Sequence, residues 1–187
     1  SDDEKMLNTF IQEFREEFMN LPPEDIAYPR SVNGIMKFTD NEASRRRTQK
    51  KLEERESKKR KTQTLIGTLD NTKVKYGLFA SGAPIHVKGA ILYNHLVEKH
   101  KMSNKYPYIQ EGDKIKFLHM IEPNIYQSSA ISFMTELPKE LDFQKIIDYN
   151  TQFEKSFIEP LKFITDKILW KIDSSYGTQG TLEDFFT

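Results

Sequence analysis

Apolar residues recur at helical spacing near both ends of this chain and at strand spacing in between. Over residues 4–20, Leu7, Phe10, Ile11, Phe14 and Phe18 follow the i, i+3, i+4, i+7 rule of an amphipathic helix, and Pro22-Pro23 stops it. Ile26 to Phe38, with Pro29 and Gly34 among small and apolar residues, reads as a loop with a short extended segment. Thr64 to Phe79 is moderately apolar, is broken by Gly67 and Gly77, and reads as irregular. Ser81-Gly82-Ala83-Pro84 is a turn cluster, after which Ile91, Leu92, Leu96 and Val97 predict a short helix over 90–99.

Strand signals follow. Glu111-Gly112-Asp113 is turn chemistry, and Lys114-Ile115-Lys116-Phe117-Leu118 begins with period-two alternation. Ser129 to Phe133 offers a second strand, with Asn124 marking a turn between the two. The longest helical pattern runs over about 142–172. Its stripe is Ile146, Tyr149, Phe153, Phe157, Leu161, Ile164 and Ile168, and Pro160 either kinks it or starts a second helix. Asp173 to Gly180 is a polar linker before a Phe-containing end. The pattern predicts an α+β fold, mainly helical, with a small antiparallel sheet near 112–134. It divides the chain into an N-terminal helix and loop (1–38), a charged insertion or arm (39–80, mobile near 40–63), a main part (81–172) and a mobile tail (173–187).

Composition narrows the picture. A chain of 187 residues with 13 Phe, 8 Tyr and 1 Trp can bury one core, while a mean hydropathy of −0.67 requires long polar stretches. The absence of Cys excludes disulfides, thiolate zinc sites, Cys nucleophiles and iron–sulfur clusters. Ser1-Asp2-Asp3-Glu4-Lys5 has neither the basic nor the apolar region of a signal peptide, and no apolar run reaches spanning length, so a soluble, cytoplasmic protein is expected. The missing initiator Met suggests a piece of something longer.

Twenty-eight basic and 28 acidic residues cancel overall, but not locally. From Arg45 to Lys61 ten basic residues face three acidic ones, a tract of net +7, and the remainder carries net −7. Leu52 is its only large apolar side chain, so the tract cannot bury a face of its own. It reads equally as a solvated helix or loop with internal ion pairs and as a nucleic-acid-facing arm.

The catalytic inventory is sparse. His86, His95, His100 and His119 are scattered, and the five-residue gap between His95 and His100 does not put two imidazoles on one helix face. No phosphate-cradling glycine loop, nucleophile elbow or paired carboxylates after a buried strand occur. The chain by itself reads as non-catalytic, with no metal site. Its last residues differ in kind: Gln179, Leu182, Phe185 and Phe186 fit Q-x-x-h-x-x-a-a, resembling the peptide by which replication proteins attach to a ring-shaped sliding clamp. A single helical turn would project Leu182, Phe185 and Phe186 into an apolar pocket, with Gln179 at its rim. Alternatively, these residues fold back on the protein's own core.

Two internal strings sharpen the reading. Gly82-Ala83-Pro84-Ile85-His86-Val87-Lys88-Gly89-Ala90-Ile91-Leu92-Tyr93-Asn94 resembles the P-x-H-x-[RK]-G-x-x-x-Y-N segment in the thumb of family B DNA polymerases of T-even-type bacteriophages. Asp148-Tyr149 with Phe153-Glu154-Lys155-Ser156-Phe157-Ile158-Glu159-Pro160-Leu161 resembles that family's late thumb helix, D-Y-x-x-x-x-E-K-[ST]-F-I-x-P-L. The resemblance covers most of 5–38 and 81–187, most closely from Pro84 onward.

The resemblance implies polymerase-thumb-like helices that hold the primer–template duplex through its phosphates, and a clamp-binding tail. Carried over by position, His86, Lys88, Tyr93 and Asn94 would line the duplex surface, and Lys155 would face a primer-strand phosphate. Arg30, Ser31 and Asn33 match an earlier thumb loop more loosely. For Tyr93 and Asn94 a helix-packing pair is an equal reading. Glu159 departs from the pattern, standing where a basic residue would suit a phosphate-facing helix, and residues 39–80 look like an insertion with no family role.

The palm carboxylates that hold Mg, the fingers and the exonuclease of such a nucleotidyltransferase lie outside these residues. The implied partners are therefore primer–template DNA, a sliding clamp and the palm/fingers/exonuclease portion, against which Leu7 to Phe18 would pack, with no membrane. The implied setting is a host bacterial cytoplasm, with the chain either a piece of a whole polymerase or one half of a split one. The alternative function is a non-catalytic, clamp-associated DNA-binding adaptor.

Overall fold

The computed structural model describes residues 1–62, 78–80 and 82–172. Helix α1 (Asp2–Met19) begins where the Ser1 hydroxyl accepts the Glu4 N–H, with three acidic residues in its first turn favoured by the helix dipole. Its inward stripe is Leu7, Ile11, Phe14 and Phe18; Phe10, expected to share it, stays 56% exposed and stacks on Phe14 at 6.1 Å. Pro23 opens a one-turn helix, α2 (Pro23–Ile26), because proline's fixed φ and missing N–H suit a first helical position.

The extended segment expected within 26–38 is a strand, β1 (Tyr28–Ser31), followed by a one-turn helix, α3 (Ile35–Phe38), which the sequence pattern did not indicate. Glu111 accepts the Gly34 and Met36 N–H groups at 2.8 and 3.1 Å and so caps α3 from across the chain. The basic tract forms α4 (Glu42–Thr62), one of the two arrangements its charge pattern allowed. The irregular segment expected over 64–79 lies outside the described residues except for its end, where Phe79 bridges Thr39.

Helix α5 (Ile85–Lys99) starts five residues earlier than its apolar spacing suggested, directly after Pro84, and so takes in His86 and Lys88. Strands β2 (Lys114–His119) and β3 (Ala130–Phe133) fall where alternation placed them. The sheet is antiparallel in the order β1-β2-β3, with Tyr28 opposite Phe117, Arg30 opposite Ile115, and Phe117 opposite Ser132. Residues directly opposite share a face. One face therefore carries Tyr28, Arg30, Ile115, Phe117, His119 and Ser132.

Helix α5 covers that face at its β3 side, and Gly89 is why it can. A Cβ there would stand 2.4 Å from the Ser132 hydroxyl oxygen, 2.7 Å from the Ser132 nitrogen and 2.8 Å from the Ile131 carbonyl carbon.

The long helix expected over 142–172 is interrupted. Asp142 is left-handed, Phe143–Ile146 is a 3₁₀ turn, and Ile147 bridges Met120. Helix α6 (Tyr149–Phe153) begins only where the Asp148 carboxylate accepts both the N–H and the hydroxyl of Thr151. A π-helical segment (Glu154–Ile158) and α7 (Glu159–Thr165) follow. The wider turn precedes Pro160, which has no N–H for the α-helical ladder; the Glu159 N–H reaches back five residues to the Glu154 carbonyl.

The core beneath is aromatic. Phe14 meets Phe157 at 4.8 Å and Phe18 meets Phe153 at 5.1 Å, while Arg15 lies 5.0 Å over Phe153 and donates to the Asn150 side chain at 2.7 Å. The apolar face of α1 thus packs on the C-terminal helix of its own chain, which corrects the expectation that Leu7 to Phe18 faces another polypeptide. The far end of the C-terminal stripe is not covered within the described residues: Ile164 is 62% and Ile168 53% exposed.

Candidate nucleic-acid interface

The sheet face that α5 leaves open at the β1 side is the floor of a groove of about 560 Å³. Tyr28, Arg30, Phe117 and His119 form the floor, Ile85 of α5 one wall, and Gln152, Lys155, Ser156, Glu159 and Pro160 the other. Arg30 is exposed and held over the Tyr28 ring at 5.1 Å, and Tyr28 meets Phe117 edge-on at 5.9 Å. This stack presents a planar cation to solvent on a fixed support.

The wall containing Lys155 is fixed by Gln152. Its side-chain oxygen accepts the His119 N–H at 2.9 Å, and its nitrogen donates to the carbonyls of Ile26 (2.9 Å) and Phe117 (3.3 Å). Phe117 and His119 point their backbone groups toward β1, yet β1 ends opposite Phe117. The Gln152 amide continues the ladder where the strand leaves off, and it is fully buried with all of these groups paired.

Lys155, on the next turn, is exposed, and its Nζ lies 2.9 Å from a Glu159 carboxylate oxygen. The sequence departure at Glu159 is thus a partner for the groove's cation. His119 is held below its usual pKa by burial, with Asp148 opposing that shift and Lys155 adding to it. His86 is also lowered, first by burial and then by Arg30, while a hydrogen bond to the Ser31 backbone works the other way. Both shifts favour the neutral imidazole.

The residues singled out from sequence are partly brought together. Arg30 and Lys155 share the groove; His86 lies beside Arg30, Ser31 and Phe117 (ring centroids 6.2 Å). Lys88 is two residues further along α5, with its Nζ 5.6 Å from the Phe79 ring, and Asn33 is exposed between Val32 and a left-handed Gly34. Tyr93 and Asn94 face elsewhere. Tyr93 is buried and donates to the Pro107 carbonyl at 3.0 Å, and burial pushes its phenol up to about 12. The Asn94 amide both donates to the Ile109 carbonyl (2.9 Å) and accepts its N–H (2.8 Å). Of the two readings offered for this pair, the geometry is that of helix packing. Gln179, Leu182, Phe185 and Phe186 lie outside the described residues.

Tyr28, Gln152 and Gly89 were not singled out from sequence as site residues. Gly89 and Gln152 sit inside the two matched strings, so asking what each fixed or intervening residue does would have raised them. Tyr28 carried no such signal. Among the described residues no group of three or more His, Asp or Glu is placed to hold a metal ion, and no helix is long and apolar enough to cross a membrane.

No protein-family model matches the chain. The DNA-directed DNA polymerase of Enterobacteria phage T4 is 34% identical over 82 residues, 42% of this chain and 9% of the phage protein. The DNA-directed DNA polymerase of Escherichia phage RB69 is 31% identical over 108 residues, 55% of this chain and 11% of that protein. The chain is homologous over part of its length to T4/RB69-type family B DNA polymerases, and the matched stretches span about a tenth of those relatives.

Proposed function

We propose that this chain is the thumb portion of a replicative family B DNA polymerase. In this reading it holds primer–template duplex and tethers the enzyme to a sliding clamp, while a palm/fingers/exonuclease part supplies the chemistry. The observation that carries the proposal is the convergence of Arg30 and Lys155 on one open groove, with His86 beside Arg30, in a chain partly homologous to phage polymerases. Cations on a rigid sheet and a helix, with imidazoles shifted toward the neutral form beside them, suit contact with phosphates and carry no base readout. Lys88 and Asn33 extend the same surface, whereas Tyr93 and Asn94 act as positioning residues that fix α5. Gln179, Leu182, Phe185 and Phe186 are the clamp-binding peptide.

The test is fluorescence anisotropy of a labelled primer–template duplex against the chain and against Arg30→Ala/Lys88→Ala, at several salt concentrations. The expected slope of log K against log salt falls by about 0.9 for each phosphate contact removed. An unchanged affinity and slope in the double variant would overturn the groove assignment. Phe185→Ala/Phe186→Ala is expected to abolish clamp binding and leave duplex affinity nearly unchanged; full clamp affinity in that variant would overturn the tail assignment.

A further inference from the structure

Helix α4 sorts its charges. At 100° per residue, Arg47, Lys50, Lys51, Arg55 and Lys58 fall within about 140° of one another, with Glu54 the one acidic residue among them. Glu42, Glu53 and Glu56 cluster within about 60° on the roughly opposite side. On that acidic side Arg46 pairs with Glu42, and Gln49 donates to Glu53 at 3.3 Å. One side thus gathers three acidic residues, and the other is a cationic stripe whose five basic side chains are all exposed.

The stripe has a definite place and length. Arg47 donates to the Lys37 carbonyl at 2.6 Å, fixing the base of α4 to α3. The Ala80 N–H donates to the Phe38 carbonyl at 2.6 Å, and neighbouring Phe79 lies under Lys88 of α5. The helix is thus rooted beside the first turn of α5, next to the groove. From Arg47 to Lys58 the rise is about 16 Å, which equals the axial length of about five base pairs of duplex DNA. A surface this cationic and without an apolar anchor suits a polyanion recognised by charge and spacing, not a folded apolar partner.

We infer that the cationic side of α4 is a second, sequence-independent binding surface for the phosphate backbone of duplex DNA, extending the contact beyond the groove. The inference does not need the thumb reading to hold.

The test compares the full chain with Lys50→Ala/Lys51→Ala/Arg55→Ala/Lys58→Ala, whose substitutions keep helix propensity and touch no buried residue. A control removes four exposed lysine charges elsewhere: Lys99→Ala/Lys101→Ala/Lys139→Ala/Lys145→Ala. Circular dichroism verifies that helix content is kept. Anisotropy titrations on a 24-base-pair duplex, from about 50 to 200 mM salt, should show the salt slope of the α4 variant reduced by about 0.9 per lost contact, or about 3–4 in all. The control's slope should stay near that of the unaltered chain. Equal slopes for the α4 variant and the unaltered chain, or equal losses in variant and control, would overturn the inference. So would a loss of binding to phosphatidylserine vesicles with duplex binding intact, which would make the partner a membrane surface. Arg30→Ala/Lys88→Ala, run in parallel with α4 intact, keeps the two claims apart: full binding there with loss in the α4 variant leaves this inference standing and removes the groove assignment.

Discussion

Gly89→Ala gives a prediction in which two physical effects have opposite signs. In an exposed helix, replacing glycine by alanine stabilises by about 1 kcal/mol through helix propensity. Here the new methyl would stand 2.7 and 2.8 Å from backbone atoms of β3, which cannot swing aside as a side chain could. Helix α5 would have to lift off the sheet, and a lift of about 0.5 Å forfeits about a quarter of the dispersion attraction at each contact it loosens. Overpacking of this kind costs about 1–3 kcal/mol. The Ser132 hydroxyl, which donates to the His86 carbonyl at 2.8 Å, sits in the same gap, and its loss adds about 1 kcal/mol. The net expectation is a destabilisation of about 1–3 kcal/mol.

Urea unfolding followed by circular dichroism reads this directly. With a slope of about 2 kcal/mol per molar, the midpoint should fall by about 0.5–1.5 M. Adding Ser132→Ala should not restore it, since the Ser132 nitrogen and the Ile131 carbon remain in place. A Gly89→Ala midpoint equal to or above that of the unaltered chain would mean that propensity wins and that the close approach of α5 to β3 is not tight.

Two further outcomes follow from charges. Glu159→Gln releases Lys155 from its carboxylate partner; an exposed pair of this type is worth about 0.2–1 kcal/mol, so duplex affinity at low salt should rise up to about fivefold, and no gain by anisotropy would mean that Lys155 does not face a phosphate. The Glu140 carboxyl is held down to about 2 by hydrogen bonds from Lys105 and then Tyr106. Because the folded value lies below the ordinary one, its stabilising effect is present above the usual carboxylate pKa and is lost as pH falls toward about 2. Carboxyl-carbon NMR should give a midpoint near 2 that rises in Tyr106→Phe, and an unmoved midpoint there would refute the hydrogen-bond account.

Much of the fold is legible in short-range pattern. Helix α1, the 111–113 turn, and strands β2 and β3 follow from periodicity and turn chemistry, because those signals lie within each segment's own residues. What escaped the pattern depends on residues far away in the chain. Strand β1, expected only as a short extended segment somewhere within 26–38, is four residues long, contains a proline and leaves three of its residues exposed; its bounds are set by pairing with β2. The 142–172 stripe has helical spacing, but Asp142 and Asp148 favour local turn and capping geometry, and the π-helical turn before Pro160 shifts the downstream stripe by one residue. Ile164 and Ile168 then come out exposed although their spacing marks them as core. For the site, the matched strings point to His86 and Lys155 and a looser loop match to Arg30, whereas the inward use of Tyr93 and Asn94 depends on where residues 107–109 run.

The Gln152 amide has a mechanical consequence. By standing in for a missing rung of β2, it indexes the C-terminal helix to the same strand that carries Arg30's partner, Ile115. Arg30 and Lys155 are then two points on one ruler: their separation is set by strand spacing and by one side-chain amide, not by the angle at which the helix happens to lie. A surface of this kind works as a gauge. In the proposed duplex contact it would suit a rod-like polyanion whose width matches its span and would not close around a thinner one, so any adjustment to the ligand would come from displacing the sheet and helix together as a unit.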